Sequence, residues 1–355
     1  MKGVPLLLFG ALAAALAAPA ASASQIVSTS TVSGLTLGVN GKGEAMVSYR
    51  SGGREVHVLA WGAVNAAQAT PIKRNAALQV TGMPTQVKFH LAYDGGYKQR
   101  SSAVHAELRH LRALQHQLAN AAGDNPLRWA LGRKIKAAYA RLASLRSAAT
   151  NYWRTFSCPT YDGPRLADLV AACRAPDGSY WAVQSWDRDL PDYGVPPNGA
   201  QTQMEVHLSH WTGPIPVLAV HVDWAYNGRW QHLWGTYTYL GSGIHGYRST
   251  PQGVPLDLFG RNLYLDTYDS VYGPGWRREN SFLTHNPRGS WCYSVNPHGD
   301  HPAGRGSAYR LTILGLGVTP DVSVVVAAPG PYSREAQAAD NAALRALHDP
   351  LCVPH

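Results

Sequence analysis

The chain has 355 residues, and its 31 Lys and Arg against 22 Asp and Glu give a formal net charge of +9 at pH 7. This length suffices for one large domain or two modest ones. The sequence carries no G-x-S-x-G, H-E-x-x-H, Walker or dinucleotide-binding motif, which disfavours the enzyme classes that these motifs define.

The first 23 residues have the layout of a secretory signal peptide. Lys2 precedes an apolar run over 4–18, and small residues follow at 21–23. The run is too short for a membrane-spanning helix. We therefore expect cleavage after residue 23 and a secreted mature protein, either extracellular or associated with the cell wall.

Residues 24–99 predict the N-terminal β-meander part of a β-domain. Apolar and polar side chains alternate over 35–39, 44–50, 54–61 and 86–93, and Gly-rich turns separate the first three segments. This alternation is typical of strands that bury one face.

Residues 100–151 predict an antiparallel helical hairpin inserted into the β-rich chain. The apolar spacing changes to three and four residues, as for Val104, Leu108 and Leu111. The sequence Gly-Asp-Asn-Pro at 123–126 separates the two helical segments.

The helical hairpin carries most of the positive charge of the protein. Residues 100–154 contain eight Arg and two Lys but two acidic residues, which gives a charge surplus of +8. Eight cations lie largely outside the apolar stripes: Arg109, Arg112, Arg128, Arg133, Lys134, Lys136, Arg141 and Arg146. We expect a projecting basic arm that attracts an anionic wall polymer or an anionic membrane surface. Nucleic acid is the least favoured partner, because export separates the protein from the genome. A solvated helix face that only aids solubility is the open alternative.

Residues 152–330 predict the main antiparallel β-domain. Its strands are expected at 180–186, 203–211, 217–240 as a hairpin, 244–249, 262–268, 281–285, 290–295, 309–314 and 321–327. Many short strands with frequent turns favour a sandwich or jelly roll. The predicted class is therefore mainly β, an antiparallel β-sandwich or jelly-roll-like fold with an inserted antiparallel helical hairpin.

The hairpin at 217–240 is centred on Asn227 and Gly228, which tolerate the positive φ of a type I′ turn. This turn places Asp223 opposite His232. Because side chains alternate along a strand, one face is expected to be core: Leu218, Val220, Val222, Trp224, Leu233, Tyr237 and Tyr239. The other face is expected to be a wet, ionisable and aromatic surface.

The preceding strand extends this surface if it pairs with the hairpin. The predicted ligand-binding residues are Glu205, His207, His221, Asp223, Trp230, His232 and Trp234. Trp and Tyr suit half-wet platforms that stack on sugars, and converging His and Asp suit acid–base or metal chemistry. Ordinary cross-strand pairing of the same side chains is the alternative.

The four cysteines of an exported protein predict two disulfides. Of three connectivities, we favour Cys158 with Cys173, and Cys292 with Cys352. Residues 331–355 then form a C-terminal helix at 333–347 and a disulfide-tethered tail.

Four segments of the β portion resemble uncharacterised secreted proteins of high-GC Gram-positive bacteria. They are Gly-Glu-Ala at 43–45, Val-Leu-Ala-Trp-Gly at 58–62, Ala-Pro-Asp-Gly-Ser-Tyr-Trp at 175–181 and Arg-Arg-Glu-Asn-Ser-Phe-Leu-Thr-His at 277–285. No activity is known for that group, so the resemblance implies export and nothing about chemistry.

Three functions remain open. The first is a secreted β-domain that binds an extracellular or cell-envelope polymer, with a glycan favoured, through its Trp- and Tyr-rich sheet face. The second is a secreted hydrolase, glycosidase-like or metal-assisted, that uses the cluster of His221, Asp223 and His232. The third is a purely structural envelope protein. No cofactor is predicted, with a divalent metal at the His–Asp cluster as the alternative. Glycosidase chemistry needs two carboxyl groups, for which the candidates are Asp257, Asp266, Asp269 and Glu279.

Overall fold

A computed structural model describes residues 24–62, 89–93, 97–150, 152–188, 204–244, 262–270, 273–284, 288–295, 306–316 and 318–354. The predicted signal peptide lies outside these ranges. So do most of the predicted strand at 244–249 and the candidate carboxylate Asp257.

The described residues form sixteen strands and three α-helices. Before the helical hairpin lie β1 (Gln25–Ser28), β2 (Ser33–Val39), β3 (Ala45–Ser51), β4 (Arg54–Gly62) and β5 (Phe89–Tyr93). The hairpin is α1 (Tyr97–Asn120) and α2 (Asn125–Thr150), followed by a 3-10 turn (Tyr152–Thr155). Then come β6 (Leu169–Arg174), β7 (Tyr180–Asp187), β8 (Met204–Trp211), β9 (Val217–Ala225), β10 (Trp230–Tyr239), β11 (Ser242–Gly243), β12 (Leu263–Ser270), β13 (Gly273–Phe282), β14 (Ser290–Val295), β15 (Ala308–Ile313), β16 (Val322–Ala327) and α3 (Arg334–Ala346).

The strands form four antiparallel sheets. Their orders are β2-β3-β4-β5, β1-β8-β7-β6, β13-β12-β15-β16, and a sheet in which β10 pairs with β9 on one edge and with β14 and β11 on the other. The predicted class, a mainly β sandwich with an inserted helical hairpin, is confirmed.

The first pair of sheets, β2-β3-β4-β5 and β1-β8-β7-β6, encloses one hydrophobic core. Val47 and Val58 from one sheet pack with Trp181, Val206 and Leu208 from the other. The helical hairpin is inserted between β5 and β6, so this first sandwich joins the predicted N-terminal meander to part of the predicted main β-domain.

The second pair of sheets encloses a separate core. Leu233 and Tyr237 of β10 and Trp291 of β14 pack against Leu265 of β12 and Leu311 of β15. Trp186, from β7 of the first sandwich, also belongs to this core. The second sandwich therefore lies against the outer face of the β7–β8 sheet, so that β8 is buried on both faces.

The two long helices of the arm pack on each other. Val104, Leu111 and Leu114 of α1 meet Leu131 and Leu142 of α2 in a small core that contains only arm residues. The narrow apolar stripes of the two helices are thus buried against each other, as the spacing predicts.

The C-terminal helix and both disulfides are confirmed. Ser333 caps α3, its hydroxyl accepting from the Ala336 amide. The disulfides join Cys158 to Cys173 and Cys292 to Cys352, and such bonds fit an extracellular protein. Within the described ranges, no helix combines the length and apolarity needed to cross a membrane.

The register of the central hairpin is confirmed. Asp223 pairs with His232, and Val222 with Leu233. Asn227 and Gly228 have φ of 56° and 78°, as the turn requires, and Tyr226 before them also has positive φ.

Candidate functional site

The seven residues predicted as one binding face lie in two different sheets. Glu205 and His207 are on β8, which pairs with β1 and β7, whereas the other five are on β9 and β10. The predicted common surface is therefore wrong. The segment 212–216 does not turn β8 back against β9, because it carries the chain from the first sandwich into the sheet of the second.

His207 lies between two carboxylates at the boundary of the sandwiches. Its Nδ1 is 3.0 Å from Asp321 Oδ2 and 3.0 Å from Ser24 Oγ, and its Nε2 is 3.0 Å from Glu205 Oε2. Trp186 stacks on the ring with centroids 5.1 Å apart. The imidazole is fully buried, so these groups replace its hydration.

The two carboxylates decide the protonation of His207. Burial alone would lower the pKa of this imidazole, but Asp321 and Glu205 outweigh burial and raise the pKa to about 9. Burial opposes ionisation of Asp321 as well, yet His207 and the Gly315 amide hold the pKa of this carboxyl below its usual value. His207 is thus an imidazolium at neutral pH, and the pair is ionised inside the protein.

Arg188 and Arg278 extend the ion pairs across the boundary. Arg188 Nη1 donates to Glu205 Oε2 at 3.0 Å, and its Nε donates to the Tyr264 hydroxyl at 2.9 Å. Arg278 Nη1 donates to the Arg188 carbonyl at 3.1 Å while its Nε pairs with Asp266. Because Tyr264 and Asp266 belong to β12 and Glu205 to β8, the network fastens the two sandwiches together. Its side chains are buried.

The predicted wet face of the β9–β10 hairpin is partly covered by the C-terminal tail. Trp234 packs with Leu344 of α3 and with Cys352. Asp223 and His232 are only 4% and 3% exposed. The alternation that separates the two faces is confirmed. The expected solvent exposure is wrong for Asp223, His232 and Trp234, which are buried, whereas His221 is exposed.

The buried polar side chains of this face hydrogen-bond to one another. Asp223 Oδ1 lies 2.9 Å from His232 Nδ1, and Asp223 Oδ2 accepts from Trp234 Nε1 at 3.0 Å. His221 stacks on Trp234 at 4.4 Å and is exposed, whereas Trp230 is half-buried and meets the exposed Tyr226 edge-on. Both side chains of the Asp223–His232 pair are buried among the described residues, so a substrate would need a rearrangement to reach them.

Metal and glycosidase chemistry find little support in the described ranges. No group of three or more His, Cys, Asp or Glu able to hold a metal ion occurs there. Asp266 is engaged by Arg278 and Arg310, and exposed Asp269 accepts from the Gly275 amide. Burial raises the pKa of Glu279 to about 7, which is near neutral pH.

A third buried histidine, His210, was not predicted as a site residue. Its Nε2 lies 2.9 Å from Ser179 Oγ, and that hydroxyl donates to Asp177 Oδ1 at 2.6 Å. Trp181 stacks on the ring at 3.8 Å, and burial lowers the pKa of His210 to about 4. In a hydrolytic triad the histidine lies between serine and carboxylate. Here Ser179 lies between His210 and Asp177, and its hydroxyl donates to Asp177 and not to the histidine. The histidine therefore cannot accept the serine proton, and the arrangement is structural.

The exposed cations of the arm form the remaining candidate site. All eight predicted cations of the arm are exposed. Of the two acidic residues, Glu107 lies 3.6 Å from Arg141 and Asp124 accepts from the Leu127 amide at the start of α2. The arm therefore presents its charge surplus to solvent, with its two carboxylates already used locally.

A shallow cavity of about 370 Å³ follows the seam between α1 and α2. Its lining includes Leu108 and the buried Leu111 and Leu142, together with the exposed Arg112 and Arg146. Gln115 and Tyr139 also line it, and Gln115 donates to the Tyr139 hydroxyl at 3.1 Å. The lining thus combines apolar side chains with cations.

No protein-family model, curated protein or solved structure matches this chain. The resemblance to secreted proteins of high-GC Gram-positive bacteria stays a prediction.

Proposed function

We propose that this protein is a secreted binding module whose β-sandwiches display a basic helical arm to anionic polymers or surfaces outside the cytoplasm. The single observation that carries the proposal is the exposure of all eight predicted arm cations on a two-helix projection with its own core. A surface of one sign raises the local concentration of oppositely charged partners and speeds their association.

The scaffold supports this proposal by its rigidity. The buried ion pairs of Glu205, His207 and Asp321 fix one sandwich on the other, and two disulfides restrain the loops. The arm is joined to the first sandwich through Tyr152, whose hydroxyl accepts from Asn40 Nδ2 at 3.0 Å and donates to Glu44. The root of the arm therefore has polar contacts with the first sandwich.

Binding to immobilised polyphosphate tests the proposal, with uncharged dextran as the reference polymer. Four arm cations are replaced together: Arg128→Gln, Arg133→Gln, Lys134→Gln and Lys136→Gln. The matched control removes the same charge from exposed positions elsewhere: Lys42→Gln, Arg50→Gln, Arg54→Gln and Arg334→Gln.

We expect salt-dependent binding to polyphosphate and none to dextran, because exposed charges are screened beyond about 8 Å at physiological ionic strength. Each exposed contact with an anionic surface contributes about 1 kcal/mol, so the arm variant, which loses up to four such contacts, should bind between about tenfold and about a thousandfold more weakly. The control variant should lose much less. Equal losses in the two variants would show that net charge alone matters and would refute an arm site.

Glycan binding remains a second candidate function, since the half-buried Trp230 and the exposed Tyr226 form an edge-on pair near the hairpin turn, with ring centroids 4.6 Å apart. The five buried residues of the predicted face are not available for this role. A glycan array with the wild-type protein and Trp230→Ala tests it. Binding that is unchanged by the substitution would remove this pair as the site.

A further inference from the structure

The tip of the arm carries two large apolar side chains that the arm core does not use. Leu127 is 46% and Trp129 64% exposed, and both lie in the first five residues of α2. The arm core closes without them. Among the described side chains, Trp129 is the one tryptophan that is largely exposed.

Two cations neighbour these side chains. Arg128 lies between them in sequence and is exposed, and the Arg133 guanidinium lies over the Trp129 ring at 3.6 Å from its centroid. Such stacking places a positive charge at the level of the indole. Asp124, the nearest carboxylate in sequence, is occupied by the Leu127 amide.

We infer that the arm binds an anionic phospholipid bilayer, with Leu127 and Trp129 entering the headgroup region and the neighbouring cations contacting lipid phosphates. This inference rests on the proposed function and names the anionic surface. Tryptophan is the side chain that favours the membrane–water interface, because its ring is apolar and its indole N–H is polar.

The exposed apolar tip distinguishes a bilayer from a soluble polyanion. Polyphosphate offers partners for Arg128 and Arg133 but no apolar region that would accept Leu127 and Trp129. A bilayer offers both. An interfacial anchor of this kind combines burial of apolar side chains with attraction to anionic lipids, and each contribution is individually modest.

The test uses residues 24–355, which include every described residue, and sedimentation with phosphatidylcholine vesicles with or without phosphatidylglycerol. Trp129→Ala and Leu127→Ala are compared with Tyr139→Ala, which removes a similarly exposed arm aromatic away from the tip. Binding to polyphosphate is measured for every variant, so that the tip and the charge surface are assessed separately. Circular dichroism checks that each variant keeps its helices.

We expect wild-type protein to bind only vesicles that contain phosphatidylglycerol. Trp129→Ala should reduce vesicle binding about tenfold, a loss typical of one large apolar side chain, and Leu127→Ala should reduce it less. Neither should alter polyphosphate binding, and Tyr139→Ala should match wild type. Lipids with brominated acyl chains should quench wild-type tryptophan fluorescence more than that of Trp129→Phe.

Three results would overturn the inference. Vesicle binding that is unchanged in Trp129→Ala would show adsorption by charge alone, with the proposed function intact. Polyphosphate binding without vesicle binding would likewise exclude a bilayer as the partner and leave the proposed function intact. A dimer of the wild-type protein that Trp129→Ala dissociates would show that a second copy covers the tip. A different result would count against the proposed function, namely loss of polyphosphate binding when the four control cations outside the arm are replaced: Lys42, Arg50, Arg54 and Arg334.

Discussion

His207 Nδ1 lies 3.0 Å from Asp321 Oδ2, although His207 is on β8 and Asp321 immediately precedes β16 of the second sandwich. Both side chains are buried. The contact therefore reports directly on the association of the two sandwiches.

Replacing His207 by Gln should destabilise the whole protein. The substitution leaves Asp321 and Glu205 buried without their shared cation, and breaking a buried pair in this way costs about 3–5 kcal/mol. Urea unfolding measures the loss. The exposed arm residue His105 provides the control, since His105→Ala should change the free energy of unfolding by less than about 0.5 kcal/mol. A loss for His207→Gln no larger than the control's would mean that the boundary carries little of the stability.

The contribution of His207 should depend on pH. Its pKa is raised from 6.5 to about 9 in the folded state, so the folded protein binds the proton more tightly than the unfolded chain. The stabilisation is fully present below pH 6.5 and is lost as the pH rises towards 9. The difference in unfolding free energy between wild type and His207→Gln should shrink over that window. A constant difference across it would contradict the assigned charge.

Opening the Cys292–Cys352 disulfide should release α3. The closed loop spans 60 residues, for which the chain-entropy model gives about 4 kcal/mol. The double substitution Cys292→Ala and Cys352→Ala should make the tail sensitive to proteolysis and raise amide exchange in β9 and β10 beneath it. The matched control, Cys158→Ala with Cys173→Ala, should leave the tail protected. Equal protection of the tail in both variants would show that Leu344 packing holds α3 without the disulfide.

The sequence predicts well where local chemistry decides the structure. Asn227 and Gly228 specify the register of the hairpin, and Ser333 marks the start of α3. Strand prediction fails where the local signal is weak. The four-residue β1 is too short for alternation to reveal, and β13 begins with Gly273 and Gly275, which disfavour strand prediction. The sequence also does not show which distant segments pack together.

The error in the site has the same origin. The pattern around His207 and His232 correctly separates two faces of each strand, but a polar face can be covered by another polar surface. Asp321 and Ser24 contact His207, and Arg188 pairs with Glu205 beside it, and no local signal in the sequence connects these residues. By contrast, the exposed cations of the arm follow from helical spacing alone, because their surroundings are set within one helix pair.

Gly228→Ala should destabilise the protein more than Gly52→Ala. Both glycines have positive φ, but only Gly228 is crowded by a neighbouring side chain. An added Cβ at Gly228 would lie 2.6 Å from Tyr332 Cγ, whereas at Gly52, also of positive φ, nothing lies within 4 Å. Gly52→Ala should cost about 1 kcal/mol for the left-handed conformation, and Gly228→Ala about 1–3 kcal/mol more for overpacking. Urea unfolding of both variants measures the difference. Equal costs would show that Tyr332 yields without loss.

Deleting residues 101–150 and joining the ends by a short Gly/Ser linker should leave both sandwiches folded. The arm core contains only α1 and α2 residues such as Leu111 and Leu142, so its removal exposes no sandwich core. The deletion keeps Tyr152 and its contacts with Asn40 and Glu44.

Near-ultraviolet circular dichroism should keep the signal of the buried tryptophans, while the helical signal falls and polyphosphate binding disappears. The substitution Leu142→Ala is the milder control: it should loosen the arm, at about 2–5 kcal/mol for a buried leucine, and leave the β transition at its wild-type denaturant concentration. If the deletion variant instead unfolds, the arm is part of the folding unit of the sandwiches and is not an independent projection.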